Sequence, residues 1–216
     1  LNTTDVRKIA LSPDFGTDGT LYVSTGGGQL FRSVDGGDTW QQINQGFGNQ
    51  NFGSVWAISV SPKFQSDGTL FVSSDNLLYR STDRGDSWSK LIVSQSDSFI
   101  HVVAVSPNYG VDETVFVSTD EKGIFRSDDK GDSWAAVNHG INQLSIVGFG
   151  ISPSYEVDVT VFAGSWGGGA FRSLDGGDTW HAVNQGLRSS IASIGLSPEF
   201  STDKTMFVGT NGGGVF

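Results

Sequence analysis

The stretch Ser33-Val34-Asp35-Gly36-Gly37-Asp38-Thr39-Trp40 returns in three further versions, at residues 81–88, 127–134 and 173–180. All four follow the pattern Ser-x-Asp-x-Gly-Asp-Thr/Ser-Trp, and their tryptophans lie 48, 46 and 46 residues apart. A nearly constant spacing in this range is typical of propellers, solenoids and repeat arrays. The octet therefore predicts a repeat protein.

The residue types of the octet suit a tight turn between two strands. Serine and aspartate side chains hydrogen-bond to nearby backbone groups, and glycine adopts positive φ at little cost. The tryptophan begins the next strand and can bury a large surface. We therefore expect a structural role for the following residues: Ser33, Asp35, Gly37, Trp40, Ser81, Asp83, Gly85, Trp88, Ser127, Asp129, Gly131, Trp134, Ser173, Asp175, Gly177 and Trp180.

A second element, Ser-Pro-x-Phe/Tyr-x-x-Asp-x-Thr, lies upstream of each octet. It begins at Ser12, Ser61, Ser106, Ser152 and Ser197, so this element occurs five times whereas the octet occurs four times. In the first repeat, apolar runs between turn residues predict strand A at 6–11, strand B at 20–24, strand C at 29–32 and strand D at 39–43.

Four short strands form a small antiparallel sheet that cannot bury both faces alone. Stacking successive sheets around an axis solves this problem, so the sequence predicts an all-β fold, a β-propeller of four-stranded antiparallel blades. The fifth repeat ends where strand C would end, and we expect it to lack the outermost strand. The predicted blades cover about 1–47, 48–96, 97–141, 142–187 and 188–216.

The octets resemble the Asp-box, or BNR, repeat of sialidase-type propellers, sortilin-type domains, photosystem assembly factors of the Ycf48 type and xyloglucan-cleaving glycosidases. This resemblance implies the propeller fold, with the box away from the binding face. It does not extend to the sialidase catalytic set, because Tyr22, Tyr79, Tyr109 and Tyr155 all occupy strand or Ser-Pro-loop positions. The arginines that precede the boxes (Arg32, Arg80, Arg126 and Arg172) recur in every copy and are expected to be structural.

Composition excludes several classes of function. The 216 residues include 13 basic and 23 acidic side chains, and a net charge of −10 opposes a phosphate backbone, so no nucleic-acid partner is expected. There is no cysteine, and no apolar run is long enough to insert in a membrane. No cofactor or metal is expected, because the box aspartates lack the dense spacing of a calcium loop. The start at Leu1, without methionine or a signal-like segment, suggests a processed or excised piece.

Residues that differ between the repeats are the candidates for function. The antiparallel path places the B-to-C and D-to-A connections on one face, where exposed aromatic side chains beside Asn, Asp and Arg could bind a sugar or a peptide. The predicted binding residues are Arg7, Trp56 and His101 from strand A, Asp120, Glu121 and Trp166 from B-to-C loops, and Phe52 and Arg188 from D-to-A loops. The alternative for Trp56, Phe52 and Phe99 is that they fill gaps between blades.

Three functions remain open from the residues alone. The first is a non-catalytic module, extracellular or on a bacterial cell surface, that binds a glycan or a protein. The second is a glycoside hydrolase that uses two carboxylates among Asp75, Asp97, Asp120 and Glu121. The third is a structural propeller that self-associates or receives a partner strand at the open fifth blade.

Overall fold

A computed structural model describes residues 5–44, 47, 53–94, 98–187 and 190–216. These residues form nineteen strands and five short helical turns. Blade 1 contains β1 (Val6–Leu11), α1 (Phe15–Asp18), β2 (Leu21–Thr25), β3 (Leu30–Ser33) and β4 (Gln41–Gln42). Blade 2 contains β5 (Val55–Val60), α2 (Phe64–Asp67), β6 (Leu70–Ser74), β7 (Leu77–Ser81) and β8 (Ser89–Leu91).

The remaining elements repeat this order. Blade 3 contains β9 (Ile100–Val105), α3 (Tyr109–Asp112), β10 (Val115–Thr119), β11 (Ile124–Ser127) and β12 (Ala135–Ala136). Blade 4 contains β13 (Ile146–Ile151), α4 (Tyr155–Asp158), β14 (Val161–Ser165), β15 (Gly169–Ser173) and β16 (His181–Ala182). Blade 5 contains β17 (Ile191–Leu196), α5 (Phe200–Asp203), β18 (Met206–Thr210) and β19 (Gly214–Val215).

Each blade is an antiparallel meander. Four sheets have four strands in sequence order, and the fifth has three strands, β17-β18-β19. The first strands of successive blades contact one another from β1 through β5, β9 and β13 to β17. The predicted all-β propeller with five repeats and a shortened fifth blade is confirmed.

The predicted first strand at 6–11 agrees with β1 at both ends. The predicted strand D at 39–43 is too long, since β4 covers only Gln41–Gln42. The reason is that the Asp35 carboxylate accepts a hydrogen bond from the backbone N–H of Thr39 at 2.9 Å, which keeps residue 39 in the turn.

The Ser-Pro element forms a helical turn, whereas the sequence predicted a loop there. In the first copy, Ser12 Oγ donates to Asp18 Oδ2 at 2.6 Å and accepts from the Asp14 backbone N–H at 3.1 Å. Asp18 Oδ1 accepts from the Thr20 backbone N–H at 2.7 Å. The serine and aspartate thus close both ends of the turn before strand B begins, which explains why they recur in this element.

The octets form the expected turns. Ser33 Oγ donates to Asp35 Oδ1 at 2.6 Å and accepts from the Gly37 N–H at 2.9 Å, and the other three copies repeat these bonds. The box glycines have positive φ, between 95° and 104°. The residue before each glycine also has positive φ, and it is Arg84 or Lys130 in two of the copies.

The apolar cores lie between neighbouring blades. Tyr22 and Leu30 of blade 1, for example, pack against Val55, Leu70 and Val72 of blade 2 in one buried cluster. Three further clusters join blades 2 and 3, blades 3 and 4, and blades 4 and 5. In blades 1 to 4, the apolar face of the sheet is therefore buried mainly by the next sheet.

In blades 1 to 3, the repeated arginine connects its blade to the box of the next blade. Arg80 Nη1 donates to the Lys130 carbonyl at 2.8 Å and to Asp132 Oδ1 at 2.9 Å. Arg32 and Arg126 make the equivalent contacts with the following boxes. These contacts explain the presence of arginine before the box and give it a structural role.

We predict that acid weakens the fold through the first box aspartates. Hydrogen bonds from Ser33 and Thr39 lower the pKa of Asp35 to about 2, and bonds led by Ser133 and by Ser173 do the same for Asp129 and Asp175. Because the folded state prefers the carboxylate, its contribution is complete above the usual pKa and is lost as the pH falls from about 4 through about 2. Thermal melts between pH 5 and pH 2 should show this loss.

The Asp129→Asn variant should reduce the slope of melting temperature against pH in that range, and Asp14→Asn in an exposed turn is the control. An unchanged slope in Asp129→Asn would contradict the assignment.

We also predict that Val159→Gly stabilises the protein. Val159 ends helical turn α4 at a φ of 43°, a region that costs an L-residue about 1–2 kcal/mol. Glycine's greater freedom in the unfolded chain offsets part of this, so we expect a gain of up to about 1 kcal/mol in the free energy of unfolding. Urea unfolding measures it. Val157→Gly inside the same turn is the matched control and should destabilise, and equal losses in the two variants would refute the prediction.

Candidate binding face

A β-bulge occurs at the same place in all five blades, at the second residue of the first strand. In blade 2, Val55 pairs with Ser74 and Ala57 pairs with Ser73, so Trp56 has no partner in the ladder. The bulged residues of the five blades are Arg7, Trp56, His101, Val147 and Ala192. A bulge redirects its side chain away from the regular alternation of the strand. Three of the predicted binding residues therefore share one structural position.

The first residue of each B-to-C loop lies beside the bulge. Its backbone N–H donates to a carbonyl just before the first strand, as in Asp75 N to Ser54 O at 3.2 Å and Trp166 N to Ser145 O at 2.8 Å. The equivalent donors in the other blades are Gly26, Asp120 and Asn211. We call the surface formed by these five residues, the five bulged residues, Asp5, Phe99 and Glu121 the loop face.

In blades 2 and 3 the two positions of the loop face are bonded to each other. Trp56 Nε1 donates to Asp75 Oδ1 at 3.3 Å. His101 Nε2 lies 2.6 Å from Asp120 Oδ1, and Ser145 Oγ of blade 4 donates to the same oxygen at 3.3 Å. Each carboxylate thus holds a ring in place.

Aromatic contacts make these two blades one continuous surface. The Trp56 ring meets Phe99 edge to face at a centroid distance of 6.3 Å and His101 at 5.6 Å. Trp56 and Phe99 are 38% and 43% exposed, so both rings keep part of their surface in contact with solvent. Phe47, in contrast, is buried and stacks on Trp88 at 4.7 Å.

The loop face has a different character in blades 1 and 4. In blade 1, Arg7 Nε forms an ion pair with Asp5 at 3.0 Å, and a Cβ at Gly26 would collide with the Asp5 carboxylate. In blade 4 the indole of Trp166 is 51% exposed on the glycine-rich loop. Glu121 is also exposed, and its backbone N–H donates to Ser98 Oγ at 3.1 Å.

The structure places Trp56 against His101, and His101 against Asp120, which Glu121 follows in the sequence. Arg7 occupies the bulge position of blade 1, and Trp166 occupies the first loop position of blade 4. Phe52, Arg188 and the candidate acid Asp97 lie outside the described residues. Sequence reasoning missed Asp5 and Ser145, whose roles depend on contacts that only the folded chain makes. The sequence analysis also did not predict the bulge. The signal that could have indicated it is that the residue type at this position differs in every repeat.

Buried serines under the loop face hydrogen-bond to the first strand of the next blade. Ser73 Oγ donates to the Ile100 carbonyl at 3.1 Å, and Ser118 Oγ donates to the Ile146 carbonyl at 3.0 Å. Each acceptor directly precedes the bulged residue of the next blade. Ser24 occupies the same position in blade 1, but its buried hydroxyl has no hydrogen-bond partner among the described residues.

Two absences apply to the described part of the chain. It contains no group of three or more His, Asp or Glu side chains arranged for a metal ion, and none of its helices is long and apolar enough to span a membrane.

A cavity of about 590 Å³ lies on the opposite face between blades 2 and 3, beside Arg80 and Tyr109, away from the loop face.

The turns, meanders and blade contacts define the class of the protein as an Asp-box β-propeller. A family model described as photosynthesis system II assembly factor YCF48 matches residues 3–215, and the chain belongs to this family. No curated protein sequence matches it.

Solved structures show the same fold at low sequence identity. A YCF48 bound to a D1 peptide is 17% identical with a TM-score of 0.70 over 100% of this chain and 63% of the other. YCF48 from Cyanidioschyzon merolae is 21% identical with a TM-score of 0.65, over 100% and 67%. The GH74 enzyme of Niastella koreensis is 19% identical with a TM-score of 0.74, over 97% of this chain and 36% of the enzyme. The chain thus spans about a third to two thirds of the length of these proteins.

We predict different costs for two serines at one structural position. Ser73→Ala removes a buried hydrogen bond and leaves the Ile100 carbonyl without that donor, so unfolding should become easier by about 1–2 kcal/mol. Ser24→Ala removes a buried hydroxyl that has no partner in the described part of the chain, and it should be neutral or stabilising. Denaturant unfolding compares them, and equal costs would show that the blade-to-blade bond is not the cause.

Proposed function

We propose that this chain is a non-catalytic protein-binding module whose loop face holds an extended peptide segment. The observation that carries the proposal is the surface of Trp56, Phe99 and His101, built on bulges in adjacent blades and held by Asp75 and Asp120. Exposed aromatic rings with fixed polar neighbours supply both contact area and hydrogen bonds to a ligand.

Two further points support a peptide ligand. The chain belongs to the YCF48 family, and one similar structure is described as YCF48 bound to a D1 peptide. A row of equivalent positions on adjacent blades also suits a linear ligand, because each blade offers one bulged side chain and one loop side chain.

The carboxylates of the loop face support a role in binding over a role in hydrolysis. A two-carboxylate glycosidase uses one group as the acid and the other as a base or nucleophile. Here Asp75 accepts from the Trp56 indole, and Asp120 contacts both His101 and Ser145. Both groups orient neighbouring side chains.

The test is a titration of the protein with a synthetic D1 peptide, followed by tryptophan fluorescence. We expect saturable binding that is absent with a scrambled peptide. Trp56→Ala should raise Kd by about tenfold or more, because removal of a central aromatic contact commonly costs above about 1 kcal/mol. Leu174→Ala, an exposed residue in a box turn away from the loop face, is the matched control.

Two results would contradict the proposal. If the peptide fails to bind while a glycan array gives a ligand that Trp56→Ala abolishes, the ligand class is wrong. If the protein releases reducing ends from xyloglucan and Asp120→Asn or Glu121→Gln stops the release, the module is an enzyme.

A further inference from the structure

The cavity between blades 2 and 3 has the size of a small-molecule site. Its volume is about 590 Å³, and sites for small molecules commonly measure about 300–1,000 Å³. Each of the two blades also packs against a further blade on its other side. Blade 2 contributes Lys63, Arg80 and Thr82 to the wall of the cavity, and blade 3 contributes Tyr109, Gly110 and Lys130.

Arg80 uses only part of its guanidinium group. Its hydrogen bonds to described residues all start from Nη1, which donates to the Lys130 carbonyl and to Asp132. One edge of a guanidinium can hold both oxygens of a carboxylate or two oxygens of a phosphate. The edge formed by Nε and Nη2 of Arg80 therefore has no acceptor in the part of the chain that the structure describes.

The equivalent arginine of blade 3 shows what can occupy this edge. Arg126 Nε donates to Asp128 Oδ2 at 3.2 Å. Blade 2 has Thr82 at the position of Asp128, and Thr82 lines the cavity together with Arg80. The absence of a carboxylate at residue 82 leaves this edge of Arg80 open at the cavity.

Tyr109 is a second donor without an acceptor. Its ring meets Phe71 edge to face at a centroid distance of 6.0 Å, and its buried hydroxyl has no hydrogen-bond partner among the described residues. By contrast, the Tyr22 hydroxyl donates to the Arg84 carbonyl at 2.8 Å between blades 1 and 2. Burial raises the pKa of Tyr109, so its hydroxyl keeps the proton and remains a donor.

The side chain of Lys130 lies over the Tyr109 hydroxyl. At the equivalent place in blade 4, a Cβ added to Gly176 would be 3.1 Å from the Tyr155 hydroxyl, and Lys130 is the residue at this position in blade 3. Lys130 is exposed, and its ammonium pairs with Glu113 at 3.0 Å. It can therefore turn aside and admit a ligand oxygen to the hydroxyl.

Lys63 is the third donor. Its stem lies against Gly110, since an added Cβ on this glycine would be 3.1 Å from Lys63 Cγ. Its ammonium forms no ion pair with a described residue. The equivalent residues of the other blades carry no positive charge; they are Asp14, Asn108, Ser154 and Glu199.

The carboxylates of the cavity already have donors. Asp67 accepts from Ser61 Oγ at 2.6 Å and from the Thr69 backbone N–H at 2.8 Å. Asp132 accepts from Arg80 at 2.9 Å. The unmatched hydrogen-bonding groups described above are therefore donors, and two of them are cationic.

We propose that the cavity between blades 2 and 3 binds a small molecule through an oxyanion group, which the open edge of Arg80, the Lys63 ammonium and the Tyr109 hydroxyl hold. A carboxylate, phosphate or sulfate group supplies acceptors and negative charge, as these donors require. This site lies on the face opposite the loop face, and it does not depend on the proposed peptide binding. Trp56→Ala should therefore leave the affinity for the anion unchanged.

The test titrates the protein with sodium phosphate, sulfate and acetate, each balanced with sodium chloride to constant ionic strength. Two-dimensional amide NMR spectra should show saturable shifts at Lys63, Thr82 and residues 109–111 for at least one anion, with a Kd in the millimolar range or below. The order of affinity among the three anions identifies the head group.

Thr82→Asp gives blade 2 the carboxylate that Asp128 supplies in blade 3. The new carboxylate should occupy the open edge of Arg80 and raise the Kd for the anion about tenfold or more, without loss of thermal stability. Leu174→Asp is the matched control, because it adds the same charge at the equivalent position of blade 4, and it should leave the Kd unchanged.

Tyr109→Phe tests the site without a change of charge. The Kd should rise several-fold, while the melting temperature without anion stays the same or increases because the lost hydroxyl has no partner among the described residues. Tyr155→Phe, at the equivalent position of blade 4, should bind the anion as the wild type does. The proposal is overturned if none of the three anions binds saturably, or if Thr82→Asp and Tyr109→Phe bind as tightly as the wild type.

Discussion

The structure depends on one constraint, which is that a four-stranded sheet has two faces and can bury neither without a neighbour. In this chain four apolar clusters each join one blade to the next, as when Tyr22 and Leu30 pack on Leu70 and Val72. The arginine contacts to the following box and the serine contacts to the following first strand tie the same neighbours together. Stability is thus largely a sum of blade-to-blade contacts, as expected for a repeat protein.

Because turn chemistry and blade packing occupy the repeated residues, the unrepeated residues are concentrated at one end of the sheets. The boxes hold their turns through their own serine and aspartate side chains on one face. The bulge and the first loop residue then offer two variable positions per blade on the other face, where Trp56 with Asp75 and His101 with Asp120 form a bonded surface. The same scaffold can therefore carry different ligands, and activity must be argued from the site.

Much of the fold could be predicted because its signals are local. The first strands, the box turns and the short fifth blade follow from alternation, turn residues and repeat spacing. The helical turns of the Ser-Pro element were missed because four residues are too few to show helical periodicity. In the candidate site, Trp56 and His101 were found as departures from the repeat, whereas their partners required knowledge of which loop lies beside which bulge.

The sequence by itself determined the number of repeats, the all-β class and the separation of scaffold from variable residues, since these depend on spacing and on side chains that act on their own backbone. Only the tertiary structure decided that Phe47 is core while Phe99 is surface, and that Asp120 contacts both His101 and Ser145. The physical reason is that these outcomes depend on contacts between blades, which residues distant in sequence make only after the sheets have stacked.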